Sequence, residues 1–150
     1  MRLMDLHEVA WVGDLAKVKT LLANGAEVNA KTNYRWTALM QASGNGHHEV
    51  VRALLTKEAD VNVKRNDGVT ALKQASQGGQ REVVQMLLGK GGEVNAQRND
   101  GITALMKASQ KGSREVVHLL IDKGADVNAI RNDGVTALIM AAQKGYSNVR

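Results

Sequence analysis

Residues 99–131 read NDGITALMKASQKGSREVVHLLIDKGADVNAIR, and the same string returns along the chain with small changes. Shifted by 33 residues, the segment 66–98 matches it at 21 of 33 positions. Thr37-Ala38-Leu39 recurs as Thr70-Ala71-Leu72, Thr103-Ala104-Leu105 and Thr136-Ala137-Leu138. Gly46, Gly79, Gly112 and Gly145 follow in step, then Glu49-Val50-Val51, Glu82-Val83-Val84 and Glu115-Val116-Val117. A fixed period of this length is the mark of one supersecondary unit copied along a stack.

Each unit has a local structure that its residues dictate. A threonine before Ala-Leu can accept a hydrogen bond from an orphan backbone N–H, so Thr37, Thr70, Thr103 and Thr136 are expected N-caps of short first helices. Gly46, Gly79, Gly112 and Gly145 end them, because glycine enters the left-handed region without a Cβ penalty. A second helix follows, with Glu49, Glu82 or Glu115 at its positive end and Lys57, Lys90 or Lys123 at its negative end. Val51, Leu54 and Leu55 fall at helical spacing, as do Val84, Leu87, Leu88 and Val117, Leu120, Ile121, and all are expected to face inward. Gly25, Gly91 and Gly124 stop the second helices, and an extended Val-Asn step is expected next. Asp67-Gly68, Asp100-Gly101 and Asp133-Gly134 then signal tight, hairpin-like turns between units. Helices of about two turns are unstable alone in water, so the units must stack into an all-α solenoid.

The whole chain, 150 residues long, is 43% hydrophobic and 23% charged, which suits a folded domain. It has no cysteine, proline or phenylalanine, and only 3% aromatic residues beside 15 glycines. The absence of cysteine excludes disulfides, thiolate zinc sites and thiol nucleophiles. The first residues, Met1-Arg2-Leu3-Met4-Asp5-Leu6, carry no long apolar run, and the expected address is the cytoplasm. The formal net charge is +5, a modest excess whose meaning depends on placement.

The period, the Thr and Leu anchors, both glycine stops, the Val-Val-Leu-Leu core and the Ala-Asp-Val-Asn ending together resemble the ankyrin repeat, and the resemblance covers essentially the whole chain. It implies a gently curved stack with a concave face made of first helices and loop tips. One domain, 1–150, is expected, with a capping repeat at 1–32, full repeats at 33–65, 66–98 and 99–131, and a truncated repeat at 132–150. The sequence departs from the family pattern in three ways. Ala38, Ala71, Ala104 and Ala137 replace its proline. Met40, Lys73, Met106 and Ile139 replace its histidine, which only His7 keeps. Glu58 stands where the other repeats have a cap glycine, and a non-glycine residue there predicts a weak point.

Enzyme chemistry finds little footing. Adjacent helical residues point about 100° apart, so His47 and His48 do not converge on a metal, and no His-Glu-x-x-His spacing exists. His118 reads as a surface residue. Ser43, Ser76 and Ser109 recur in every full copy, which indicates packing. Gly89-Lys90-Gly91-Gly92 lacks the remaining phosphate-loop residues and lies at a helix C-terminus, the wrong end for an anion. Asp67, Asp100 and Asp133 are explained by turn chemistry beside Arg65, Arg98 and Arg131. No catalytic residue, metal or cofactor is expected.

The resemblance therefore implies a non-enzymatic protein-interaction module. Its expected contacts are Trp11, Tyr34, Trp36, Met40, Asn45, Lys73, Gln77, Lys107, Lys111 and Lys144. Trp11, Tyr34 and Trp36 form the leading patch, since aromatic anchors are enriched in hot spots; the competing reading packs Trp36 on its own loop. A nucleic-acid or polyanion binder is the alternative, disfavoured by aspartates beside the tip arginines and the scarcity of stacking rings in later repeats. A scaffold without a natural ligand is a third reading. The last repeat stops within its second helix, so the apolar face of Val117, Leu120 and Ile121 is expected to lose its neighbour. This predicts a fragment of a longer array or a sticky C-terminus, the chain being a monomer or weakly self-associating end to end.

Overall fold

A computed structural model describes residues 4–143, and its described residues form helices without strands. The helices come in pairs: α1 (Leu6–Val12) and α2 (Leu15–Ala23), α3 (Ala38–Gly44) and α4 (His48–Thr56), α5 (Ala71–Gln77) and α6 (Arg81–Gly89), α7 (Ala104–Lys111) and α8 (Arg114–Asp122), then α9 (Ala137–Gln143). Lys144, Gly145 and the truncated second helix expected of the last repeat fall outside the described residues.

The expected caps form. Thr37, Thr70 and Thr103 accept through Oγ1 from the backbone N–H of Met40, Lys73 and Met106, and Thr136 does so from Ile139. In the first pair Asp5 takes this role in a capping box with Glu8. Gly46, Gly79 and Gly112 are left-handed as expected, at φ 74, 68 and 82°. Glu58 is left-handed too, at φ 65°, where its counterparts Gly25, Gly91 and Gly124 lie near 90°. Arg35 is a second such residue, at φ 66°, and it occupies the turn position that Gly68, Gly101 and Gly134 fill in later repeats.

The loops correct one expectation. The Val-Asn steps at 61–62, 94–95 and 127–128 are turns, not extended chain. Two of them are closed by an aspartate that accepts from the asparagine N–H, Asp60 for Asn62 and Asp126 for Asn128, at 2.9 Å each. The turn frees the asparagine side chains to reach the next repeat. Asn62 accepts from Glu93 N and donates to Gly91 O; Asn95 accepts from Asp126 N and donates to Gly124 O. The tip turns are hairpin-like, with Gly68 N donating to Arg65 O and Arg65 N to Val69 O, both at 2.8 Å. Adjacent tips are tied by Asn99 N to Asp67 O and Asn132 N to Asp100 O.

One continuous core runs through the stack. Leu39, Leu72 and Leu105 of the first helices and Val51, Leu54, Val84, Leu87, Val117 and Leu120 of the second are all buried. Leu88 is only half-buried and Ile121 is 36% exposed, which corrects their expected inward placement. Val117 and Leu120 keep full cover, so the apolar strip expected to open on α8 narrows to Ile121, joined by Val127, Leu138 and Ile139. First helices pack on one another more closely than second helices do. Closer spacing on one side bends the stack toward it, which makes the first-helix side concave.

Candidate functional site

The concave side is built from α1, α3, α5, α7 and α9 with the tips that precede them. A helix so sandwiched shows solvent only the residues that point away from its neighbours and from its paired second helix. Which first-helix residues reach solvent is therefore set by register.

Two expected contacts fail that test. Met40 is 1% exposed and Lys73 is 2% exposed. Both stand at the register of His7, whose Nε2 lies 2.9 Å from Ala30 O. Lys73 reproduces this bond, its Nζ donating to Ala96 O at 3.2 Å. Its ammonium is turned inward because a long amphipathic side chain can bury its stem when a carbonyl receives its head. Burial, followed by repulsion from Lys64 and Arg98, lowers its pKa to about 8, against opposing pulls from Asp67 and Asp100. Lys107 is half-buried, and desolvation lowers its pKa as well.

Other expected contacts reach solvent. Asn45, Gln77 and Lys111 are exposed at the C-terminal ends of α3, α5 and α7. Trp11 is 57% and Tyr34 69% exposed, and Val12, which adjoins Trp11, is also open. The three aromatics do not form one patch. The carbonyl of Trp11 accepts from Asn45 Nδ2 at 2.9 Å and lies 2.9 Å from His47 Nε2, so Trp11 sits beyond the C-terminal end of α3. Tyr34 and Trp36 precede the N-terminal end of the same helix. A helix of seven residues separates them by about 10 Å.

Trp36 is a packing residue as much as a surface one. It is half-buried at the register of Val69 and Ile102, and the Arg65 guanidinium lies 4.6 Å from its ring centroid. Thr32 fixes its backbone, donating its N–H to Trp36 O and accepting through Oγ1 from Trp36 N. Tyr34, by contrast, is tied to the next repeat through its carbonyl, which accepts from Asn66 N at 3.2 Å.

The tip arginines are neutralised where they stand. Arg65, Arg98 and Arg131 each make a two-pronged ion pair with Asp67, Asp100 and Asp133. The side-chain bond from Arg98 holds the Asp100 carboxyl down to about 2. A bidentate pair leaves little of either charge for a polyanion. Ser43 and Ser76 are fully buried, in keeping with a packing role. Among the described residues no group of three His, Asp or Glu side chains could hold a metal ion, and no helix is long and apolar enough to cross a membrane.

The burial of Met40 and Lys73 and the splitting of the aromatics escaped sequence reasoning. The signal was present in the register, since His7, Met40, Lys73 and Met106 occupy one structural position. A family model described as ankyrin repeats (3 copies) matches residues 6–98 and 74–150. No curated protein matches the chain.

Proposed function

This chain belongs to the ankyrin-repeat family, whose members are generally protein-protein interaction modules, and from that premise we propose that it is a non-enzymatic module that grips a protein partner with its concave face. The observation that carries the reading is the pair of exposed aromatics at opposite ends of α3. Trp11 and Tyr34 present large apolar area to solvent on backbone whose carbonyls are hydrogen-bonded to the next repeat. Asn45, Gln77 and Lys111 extend the surface with polar contacts along the later repeats. The paired tip arginines argue against a polyanion partner. The cytoplasm is the proposed setting. The apolar Ile121, Val127, Leu138 and Ile139 support weak self-association through that end of the stack as a secondary behaviour.

Affinity capture from a cytoplasmic extract, with washes at low and high salt, tests the reading. A discrete protein held at high salt by the parent and released by the Trp11→Ala/Tyr34→Ala pair is the expected result. Recovery of salt-labile nucleic acid alone would replace this reading by the polyanion one.

A further inference from the structure

The second helices form the outer side of the stack, and successive ones meet along furrows. Two of these junctions are bridged. His48 Nδ1 lies 3.8 Å from Glu82 Oε2 between α4 and α6, and Arg81 Nε lies 2.8 Å from Glu115 Oε2 between α6 and α8. Met86 on α6 and Leu119 on α8, equivalent by register, are partly buried against the core, and Leu119 lines the α6–α8 junction. Between α2 and α4 both features are missing. Leu15 stands at the register of His48 and Arg81, so Glu49 forms no ion pair across the gap among the described residues. Ala53 stands at the register of Met86 and Leu119 and leaves their volume empty. The result is a furrow of about 620 Å³, with Leu15, Leu22 and Ala53 in its floor and Lys19, Arg52 and Lys57 around it. None of these three cations forms an ion pair among the described residues.

We propose that this furrow docks the apolar face of an acidic amphipathic helix from a protein partner, at a site separate from the concave face. Three features favour that occupant. The furrow is an open trough, not an enclosed cavity, which suits a ligand that keeps one side in water. Its walls are helices of nine residues, about 13 Å long, so a third helix laid between them meets the floor with residues spaced i, i+3, i+4 and i+7. Three unpaired cations against the single Glu49 select a peptide rich in Asp and Glu. The α6–α8 junction places Glu115 and Asp122 in its wall, with Arg81 already paired to Glu115, and would repel the same ligand.

A display library of helical peptides, about four turns long, selected on the full chain and counter-selected on Ala53→Met, tests the proposal. Ala53→Met installs the residue that Met86 supplies at the next junction, and Arg52→Glu alters an exposed side chain, so both are expected to leave the melting curve near the parent's. The expected result is enrichment of peptides with Leu, Ile or Met at helical spacing and acidic flanks. Ala53→Met and Arg52→Glu should each weaken an enriched peptide tenfold or more, while Trp11→Ala/Tyr34→Ala leaves it unchanged. No enrichment, enrichment of basic or aperiodic sequences, or undiminished binding to Ala53→Met would overturn the site. Loss of binding with the aromatic pair but not with the furrow variants would assign the peptide to the concave face instead.

Discussion

Lys73 Nζ donates to Ala96 O at 3.2 Å, tying α5 to the loop that follows α6, in the place where His7 Nε2 meets Ala30 O at 2.9 Å. A side chain of different length and charge thus preserves one contact at one register. The ammonium is the weaker choice, because imidazole can be neutral at physiological pH and an amine of ordinary basicity cannot. Its pKa of about 8, against 10.5 in the unfolded chain, measures the strain of burying that charge among Lys64 and Arg98.

Lys73→Met, copying Met40 and Met106, is therefore expected to stabilise the stack at neutral pH. Between pH 8 and 10.5 the unfolded parent binds more protons than the folded parent, so the parent gains stability as pH rises through that window. Below pH 8 both states are protonated and the full cost persists. The advantage of the variant, at most roughly 3 kcal/mol, should close as pH rises toward 10.5. Thermal melts of both proteins at several pH values measure it; a pH-independent gap would refute the buried-charge account.

Asp100→Asn acts in the opposite direction. Asp100 is pulled down to about 2, chiefly by the Arg98 side-chain bond, so its contribution is present above pH 3.8 and lost as pH falls through 2. The pair is partly exposed, and screening limits the loss to about 1 kcal/mol or less at neutral pH. Parent and variant should melt alike near pH 2.

Replacing Asp67, Asp100 and Asp133 together by Asn unmasks the tip arginines. The triple variant is expected to bind single-stranded DNA with a steep salt dependence that the parent lacks. Filter binding at two salt concentrations is sufficient. Equal, strong binding by the parent would show that the ion pairs do not neutralise the tips.

Glu58→Gly relieves a left-handed non-glycine residue and should raise stability by about 1 kcal/mol in urea unfolding. Arg35→Gly should gain less, since it also removes the Arg35 Nε bond to Lys64 O.

Trp36→Ala and Tyr34→Ala should separate. Trp36 is half-buried under Arg65, and its truncation is expected to cost about 2 kcal/mol of stability. Tyr34 projects into solvent, so its truncation should leave the melting temperature nearly unchanged and appear only in partner binding.

The features legible in the sequence were those fixed by local chemistry. Thr70 caps, Gly79 turns left-handed and Glu58 is strained because each obeys backbone rules within a few residues. Arg35 obeys the same rules, and alignment with Gly68 identifies its turn position. Exposure was harder to read. Lys73 looks like a surface residue by type, yet the carbonyl of Ala96, 23 positions later, receives its head. The furrow between α2 and α4 is likewise a difference between junctions: Ala53 aligns with Met86 and Leu119 at the 33-residue period, but the space it leaves shows only in three dimensions.

The most direct test of the central claim is the affinity of the captured partner for the parent and for the Trp11→Ala/Tyr34→Ala variant, measured at high salt with matched melting curves. A loss of at least a hundredfold, about 2.7 kcal/mol, places the grip on the concave face. An unchanged affinity would contradict it.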